Sequence, residues 1–220
     1  MRVLYRIAPN VNKKSPIFTE DKFSLVKFCL NSFLEAFGGE DIKIHFILDN
    51  CPPEYEKLVK PHAYSIIKTS VGNLGTFRKQ VEIASAIDDY VLFQEDDYYW
   101  LPKTGYKLIE AVKKLEFVTP QDEYLYYFNE PRHLGKFEIK VVGDHHWREV
   151  NSTTLTFATH GRLIKENKDI IHKHEIWDYP MWQEIREAGY RIWGPIPTLA
   201  AHLVKDMLPP CVNWGKIWQR

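Results

Sequence analysis

Residues 91–100 read VLFQEDDYYW, a run of strand-forming apolar residues that ends in Glu95, Asp96 and Asp97 and continues into three aromatics. One carboxylate at a strand end is ordinary. Three adjacent ones repel each other and lose hydration as the chain closes over them, so a positive partner is expected beside them.

Working outward from this stretch, strand and helix alternate. Residues 3–7 are mostly apolar and predict a first strand, followed by the turn-rich APNVNKKSP. Phe23, Val26, Leu30, Phe33, Leu34 and Phe37 recur at steps of three and four, one apolar face of a helix that Gly38 and Gly39 end. Residues 42–48 predict a second strand, DNCPPEY a turn opening a short helix, and 63–67 a third strand. The segment VGNLGTFRKQVEIASAI reads as loop glycines and then a helix, leading into a fourth strand at 90–93. Beyond it the pattern predicts a helix over 103–115, strands over 124–128 and 153–158, and a helix over 178–188 that Gly189 ends. Residues 129–150 read as a polar, His- and Trp-bearing loop or hairpin, and the last 25 or so residues are expected to wrap over the site. Such alternation predicts an α/β fold, a Rossmann-like, mostly parallel sheet flanked by helices. Ligands then bind beyond the carboxyl ends of the strands, where Asp49 and the acidic triplet both fall.

The 220 residues suit one domain with a single core, without internal repeat or linker. Lys plus Arg and Asp plus Glu both number 29, a balance that argues against a nucleic-acid partner. Cys29, Cys51 and Cys211 form no CxxC pair, so neither a disulfide framework nor a structural zinc site is expected, and reduced thiols in a cytoplasmic protein are. No apolar run approaches the ~20 residues of a transmembrane helix, and MRVLYRIAP reads as a strand rather than a signal peptide.

A hard divalent cation such as Mg²⁺ or Mn²⁺ takes one or two protein carboxylates and fills its shell with phosphate and water, a task the triplet suits. The alternative is a solvated loop whose acids cap the next helix. Asp178 is open in the same way between a proton acceptor and a helix N-cap, and Asp49 between a ligand contact and a turn-former before CPP.

The order of these segments resembles that of glycosyltransferases with the A-type fold, particularly the inverting, nucleotide-sugar-dependent kind. HFILDN, GNLGTFRKQVEIA and VLFQEDDYYW stand where that family has a base-binding Asp, a glycine-bearing loop and helix, and an acidic metal motif. The Glu-Asp-Asp spelling is similar to that of N-acetylglucosaminyltransferase I, whose relatives also place an Asp after Trp near the catalytic base, as in WDYPMWQEIREAGYRIWG here. The likeness runs from about residue 1 to 202. The commoner Asp-x-Asp spelling is absent, and Trp177 and Tyr179 replace the usual second acid beside Asp178.

The resemblance implies a nucleotide diphosphate sugar as donor, UDP-sugar favoured, and a carbohydrate or other hydroxyl acceptor. It implies a single glycosyltransferase domain over 1–220, with a nucleotide-binding half at 1–100 and an acceptor-binding half at 101–220. Asp97, with Glu95, would hold Mn²⁺ or Mg²⁺, and His202 would supply a further metal or phosphate contact. Asp96 would face ribose or sugar, Asp49 the base, and Arg78 and Arg6 the nucleotide or diphosphate. Asp178 would be the general base of an inverting attack. GDHHWREVNSTT is a candidate acceptor or phosphate loop, in which Trp147 would stack on a sugar while His145, His146 and Arg148 donate; a surface hairpin is the alternative. Tyr98, Tyr99 and Trp100 are either sugar-stacking walls or packing. The rival functions are a nucleotidyltransferase, a metal-dependent hydrolase, or a non-catalytic carbohydrate-binding protein of the same fold. No P-loop, GxSxG, HExxH or GxGxxG motif supports other common enzymes.

Overall fold

The computed structural model describes residues 1–10, 14–128, 137–205 and 207–219. The first half follows the alternation expected from the sequence: β1 (Arg2–Ile7), α1 (Lys22–Ala36), β2 (Lys43–Asp49), α2 (Pro53–Val59), β3 (Ser65–Thr69), α3 (Gly72–Ser85) and β4 (Tyr90–Gln94). A short strand, β5 (Tyr98–Trp100), then precedes α4 (Gly105–Val112) and β6 (Phe117–Val118). The hairpin β7 (Ile139–Val142) and β8 (His145–Val150) leads to β9 (Phe157–His160). Three helices follow, α5 (Gly161–Glu166), α6 (Lys168–His174) and α7 (Asp178–Glu187), and the chain closes with β10 (Ile192–Ile196), β11 (Ala200–His202) and α8 (Trp214–Ile217).

Nine strands form one sheet in the order β3-β2-β1-β4-β9-β6-β10-β8-β7, and β11 pairs with β5 in a separate ribbon. Strands β3, β2, β1 and β4 run parallel, whereas β9 is antiparallel to both β4 and β6. The sheet spans both halves of the chain. Helices cover both of its faces, so successive strand residues are buried alternately on either side. Val3, Tyr5 and Ile7 pack with α1, α2 and α4, while Leu4, Val91 and Phe93 pack with α3, α5, α6 and α7. A third cluster joins Leu25 and Cys29 of α1 to Tyr99, Leu203 and Ile217. The chain after β11 therefore packs on α1 and β5, and none of its described residues lines the cleft.

Several boundaries differ from expectation for physical reasons. Residues 124–127 form a 3₁₀ turn, Tyr124–Tyr127, not a strand; the strand is β6, whose two residues are too few to show a period. The glycines before α3 belong to it: Gly72 opens the helix at φ +74°, which a residue without Cβ adopts at little cost. The strand expected at 153–158 lies at β9, four residues on, and the helix expected at 103–115 is the shorter α4. Of the loop or hairpin expected over 129–150, residues 129–136 lie outside the described part and the rest is the β7–β8 hairpin. Among the described residues no helix is long and apolar enough to cross a membrane.

Candidate active site at the carboxyl ends of the central strands

Strands β1 and β4 are paired in register Tyr5 to Gln94, so the next residues, Arg6 and Glu95, emerge side by side. Arg6 NH2 donates to Glu95 Oε1 at 2.6 Å, and its NH1 donates to Asn73 Oδ1 of α3 at 2.5 Å. Thr156 Oγ1 donates to the second Glu95 oxygen at 3.1 Å. Asp96 turns the other way, towards α1. It accepts from Lys22 Nζ at 2.6 Å and from the backbone N–H of Ala8 at 2.9 Å. Asp97 pairs with His202, whose Nε2 lies 3.2 Å from Oδ2. The β5–β11 ribbon sets this contact, because His202 is in register with Tyr98 and its ring stacks on that tyrosine at 5.1 Å between centroids.

Each acid of the triplet thus has its own basic partner from a different element: β1, the first turn of α1, and β11. The positive charge expected beside the carboxylates is supplied by the protein. Burial pushes the Asp96 carboxyl up, against the opposing pull of Lys22. Burial acts in the same direction on Asp97, but the charge and hydrogen bond of His202 win and hold it well below the usual carboxylate range. In return, although burial alone would lower it, Asp97 raises His202 to about 9.

A cavity of about 370 Å³ opens over these pairs, lined by Arg6, Lys22, Asn73, Glu95, Asp96 and Asp97 among others. Asp178 approaches from the start of α7. It is the first helical residue, and its Oδ1 accepts the Tyr179 N–H at 2.6 Å. Burial raises its carboxyl, the Tyr179 N–H opposes, and the nearby charge of Glu95 raises it further. The N-cap of α7 is Trp177 and not Asp178, which corrects that alternative; Asp178 is the first helical residue, close enough to Glu95 and His202 to feel both charges.

Asp49 is buried at the end of β2, and its two oxygens accept the backbone N–H groups of Val71 and Gly72 at 2.7 and 3.1 Å. It anchors the start of α3, which in turn sets Asn73 on Arg6. Arg78, further along α3, is ion-paired on the surface with Glu175, three residues before Asp178. Both lie outside the set of residues that line the cavity.

The GDHHWREV segment is elsewhere. Three strands separate β8 from β4, roughly 19 Å at a spacing of about 4.8 Å. Trp147 is fully buried in the core and offers no face for stacking on a sugar, which corrects that expectation. His145 is buried too, with Nε2 2.7 Å from the Pro197 carbonyl oxygen. Arg148 pairs with Asp122 at 2.7 Å beneath Tyr126 and Tyr127. Tyr98, Tyr99 and Trp100 are likewise packing residues: Trp100 sits edge-on against Phe33 and Phe37, and Tyr99 stacks on Phe28.

Four participants carried no recognisable signal. Lys22 resembles any helix-face lysine. Gln121 and Glu123 follow the two-residue β6, at the same end of the sheet as Glu95. Thr156 precedes β9. Glu123 is only 7% exposed, and burial lifts its carboxyl to about 7; the charge of His202 opposes this and that of Asp178 adds to it. A strand of normal length before PQDE would have marked these acids as a strand-end pair.

Among the described residues no three His, Cys, Asp or Glu side chains are gathered as a cation cage. The candidate donors for a divalent ion are Asp97 and His202, which are tied to each other in an ion pair at 3.2 Å, so an ion would have to displace the imidazolium proton to use both. That pair suits Mn²⁺ better than Mg²⁺, which takes oxygen donors. Glu95 is less free to serve, being held by Arg6 and Thr156.

No protein-family model matches the chain, and no curated protein sequence does. Solved structures do match it in shape. A nucleotidyl transferase from Methanothermobacter thermautotroptrophicus superposes with a TM-score of 0.54 at 12% identity, covering 88% of this chain and 86% of its own. A protein described as a nucleotide-diphospho-sugar transferase from Desulfovibrio desulfuricans G20 gives 0.54 at 9% identity, covering 88% and 78%. The fold is that of the nucleotide-sugar and nucleotidyl transferases. Galactosyltransferase LgtC, solved with donor and acceptor sugar analogs, gives 0.50 at 9% identity over 88% of this chain and 73% of that one. Identities this low speak for the fold alone.

Proposed function

We propose that this protein is a glycosyltransferase that moves a sugar from a nucleotide diphosphate sugar, UDP-sugar favoured, to a hydroxyl acceptor, with inversion. The observation that carries the reading is the half-buried Asp178 carboxyl, near enough to Glu95 and His202 to feel both charges. A neutral hydroxyl must lose a proton as it attacks, so transfer to it needs a base, worth roughly 10²–10⁴-fold in rate. Nucleotidyl transfer to a phosphate or carboxylate needs none, because that nucleophile is already ionised.

In this reading the nucleotide diphosphate lies in the cavity over Arg6 and Asn73. Asp97 and His202 would hold Mn²⁺, or less suitably Mg²⁺, which when bound would offset the negative charge that grows on the leaving diphosphate. Arg6, steered by Asn73 and Glu95, presents its guanidinium to the nucleotide side of the cavity. Lys22 keeps Asp96 fixed so that it can meet a ribose or sugar hydroxyl. The acceptor oxygen attacks the anomeric carbon from the Asp178 side; the new C–O bond forms as the bond to the diphosphate breaks, and the hydroxyl proton passes to Asp178. Residues 1–100 supply most of the nucleotide side and 101–220 the acceptor side. Three free thiols fit a reducing, cytoplasmic location.

The test is a product assay. Supply UDP-, GDP- and dTDP-sugars with Mn²⁺ and a panel of glycosides, and in parallel nucleoside triphosphates with sugar phosphates. The proposal expects nucleoside diphosphate and a glycosylated acceptor from the first set. Pyrophosphate released from the second set would favour the nucleotidyltransferase, free sugar at equal rates without acceptor would favour a hydrolase, and binding without turnover would favour a carbohydrate-binding protein.

A further inference from the structure

The turn that leads into α7 carries a residue its backbone disfavours. Helix α6 ends at His174, and the Trp177 N–H donates to the His174 carbonyl oxygen at 3.0 Å, which closes a four-residue turn over 174–177. The second residue of that turn, Glu175, has φ +58° and ψ −117°, the angles of the first central position of a type II′ turn. Glycine suits that position, because a Cβ crowds the backbone there. A glutamate held in it is strained, and strain kept at one place points to a task for the side chain.

Glu175 Oε1 accepts a hydrogen bond from Arg78 NH2, and so ties the turn to α3. The two side chains are 32% and 48% exposed, and an ion pair this open to water adds little to stability, less than the turn position costs. For the fold alone, glycine would serve better. The end of α6 is already braced against α7, because His174 Nε2 and Lys173 Nζ both meet Glu184 Oε2, at 2.6 and 2.7 Å. What the glutamate adds is a link across to α3.

That link joins two parts of the site. Asp178 lies three residues after Glu175, directly past the turn. At the other end of the link, Asn73 in the first turn of α3 accepts from Arg6, and Asp49 anchors the same helix start through Val71 and Gly72. Asn73 and Arg78 are five residues apart, about 7.5 Å along the helix axis. A single helix therefore touches both the arginine that lines the cavity and the turn that carries Asp178.

Resting on the glycosyltransferase reading, we propose that Glu175 is a positioning residue: held by Arg78, it sets the turn that delivers Asp178 and couples that turn to the helix that orders the Arg6 side of the cavity. Glu175 touches no substrate and acts through Asp178.

The test sets stability against turnover. Wild type, Glu175→Gly, Arg78→Glu and the reversed pair Arg78→Glu with Glu175→Arg are melted. They are then assayed with UDP-glucose, UDP-galactose and UDP-N-acetylglucosamine, with Mn²⁺ and methyl glycosides as acceptors. Glycine relieves the turn, so the Tm of Glu175→Gly is expected to hold or to rise by up to roughly 4 °C. Its kcat is expected to fall roughly ten- to a hundredfold, the range for a catalytic group displaced by a fraction of an ångström to one ångström. The KM for the UDP-sugar should stay within about twofold. Arg78→Glu should lose kcat in the same way, and the reversed pair should recover most of that loss. A residue that serves the fold alone gives the opposite pattern, a Glu175→Gly variant that melts lower or one that melts higher and turns over as wild type does. Either result overturns the proposal, as does a change confined to KM or a reversed pair no better than Arg78→Glu. Wild type that transfers no sugar contradicts the glycosyltransferase reading itself, and this proposal falls with it.

Discussion

Lys22 Nζ lies 2.6 Å from Asp96 Oδ1, and both side chains are largely buried where they line the cleft. The contact joins the first turn of α1 to the strand end that carries the acidic triplet, and so couples the fold to the site. Replacing Lys22 by Met leaves Asp96 as a buried, uncompensated charge, which typically costs about 3–5 kcal/mol. Urea denaturation of Lys22→Met is expected to show a loss of that order. The double variant Lys22→Met with Asp96→Asn should recover at least half of it, since Asn still accepts the Ala8 N–H. A double variant as unstable as the single would mean that the lysine acts through packing alone.

Asp178 and the helix it opens give a second expectation. Asp178→Asn keeps an acceptor for the Tyr179 N–H, so the fold and nucleotide-sugar affinity should stay near those of the wild type. Transfer should drop by roughly 10²–10⁴-fold, the range for loss of a general base. A kcat within threefold of wild type would remove Asp178 from proton transfer.

Stability should fall with rising pH on account of Glu123. Burial pushes its carboxyl up to about 7 in the folded protein from an ordinary value of 4.5. Between these values the folded state holds a proton that the unfolded state has released, so stability declines as pH rises through this window and levels off above it. The whole step is about 3 kcal/mol at about 1.4 kcal/mol per pKa unit. Glu123→Gln should flatten it, read as the difference between the two melting curves from pH 4.5 to 8. Parallel curves would show that Glu123 is ionised throughout.

Trp147 is expected to behave as a core residue. Trp147→Phe or Trp147→Ala should lower stability, by roughly 3–5 kcal/mol for the alanine, and leave sugar affinity of the folded fraction unchanged. Weaker sugar binding at unchanged stability would return this side chain to the site.

How far the site was legible follows the length of each element. The parallel half was readable because β1, β2 and β4 are each five residues or longer and their helices carry three-and-four spacing. The acidic triplet stood out because it interrupts an apolar run. The antiparallel half was not readable: β6 has two residues and β11 three, below what any periodicity resolves. Hence Gln121 and Glu123 passed unnoticed, and His202 rested on resemblance alone. Trp147 was misplaced because a tryptophan between charged residues reads as exposed, whereas alternate residues of β8 face opposite sides and its side is the core. The three lysine, arginine and histidine partners of the triplet come from positions 22, 6 and 202, distances along the chain that sequence patterning does not join.

In the proposed function the acids after β4 form a metal-assisted nucleotide site. The most direct measurement is isothermal titration of nucleotide diphosphate sugars into the protein with and without Mn²⁺, repeated on Asp97→Ala and His202→Ala. The expected result is that one nucleotide binds, that Mn²⁺ tightens it at least tenfold, and that either variant abolishes the Mn²⁺ effect. Nucleotide binding that ignores Mn²⁺ and both substitutions, or no nucleotide binding at all, would contradict it.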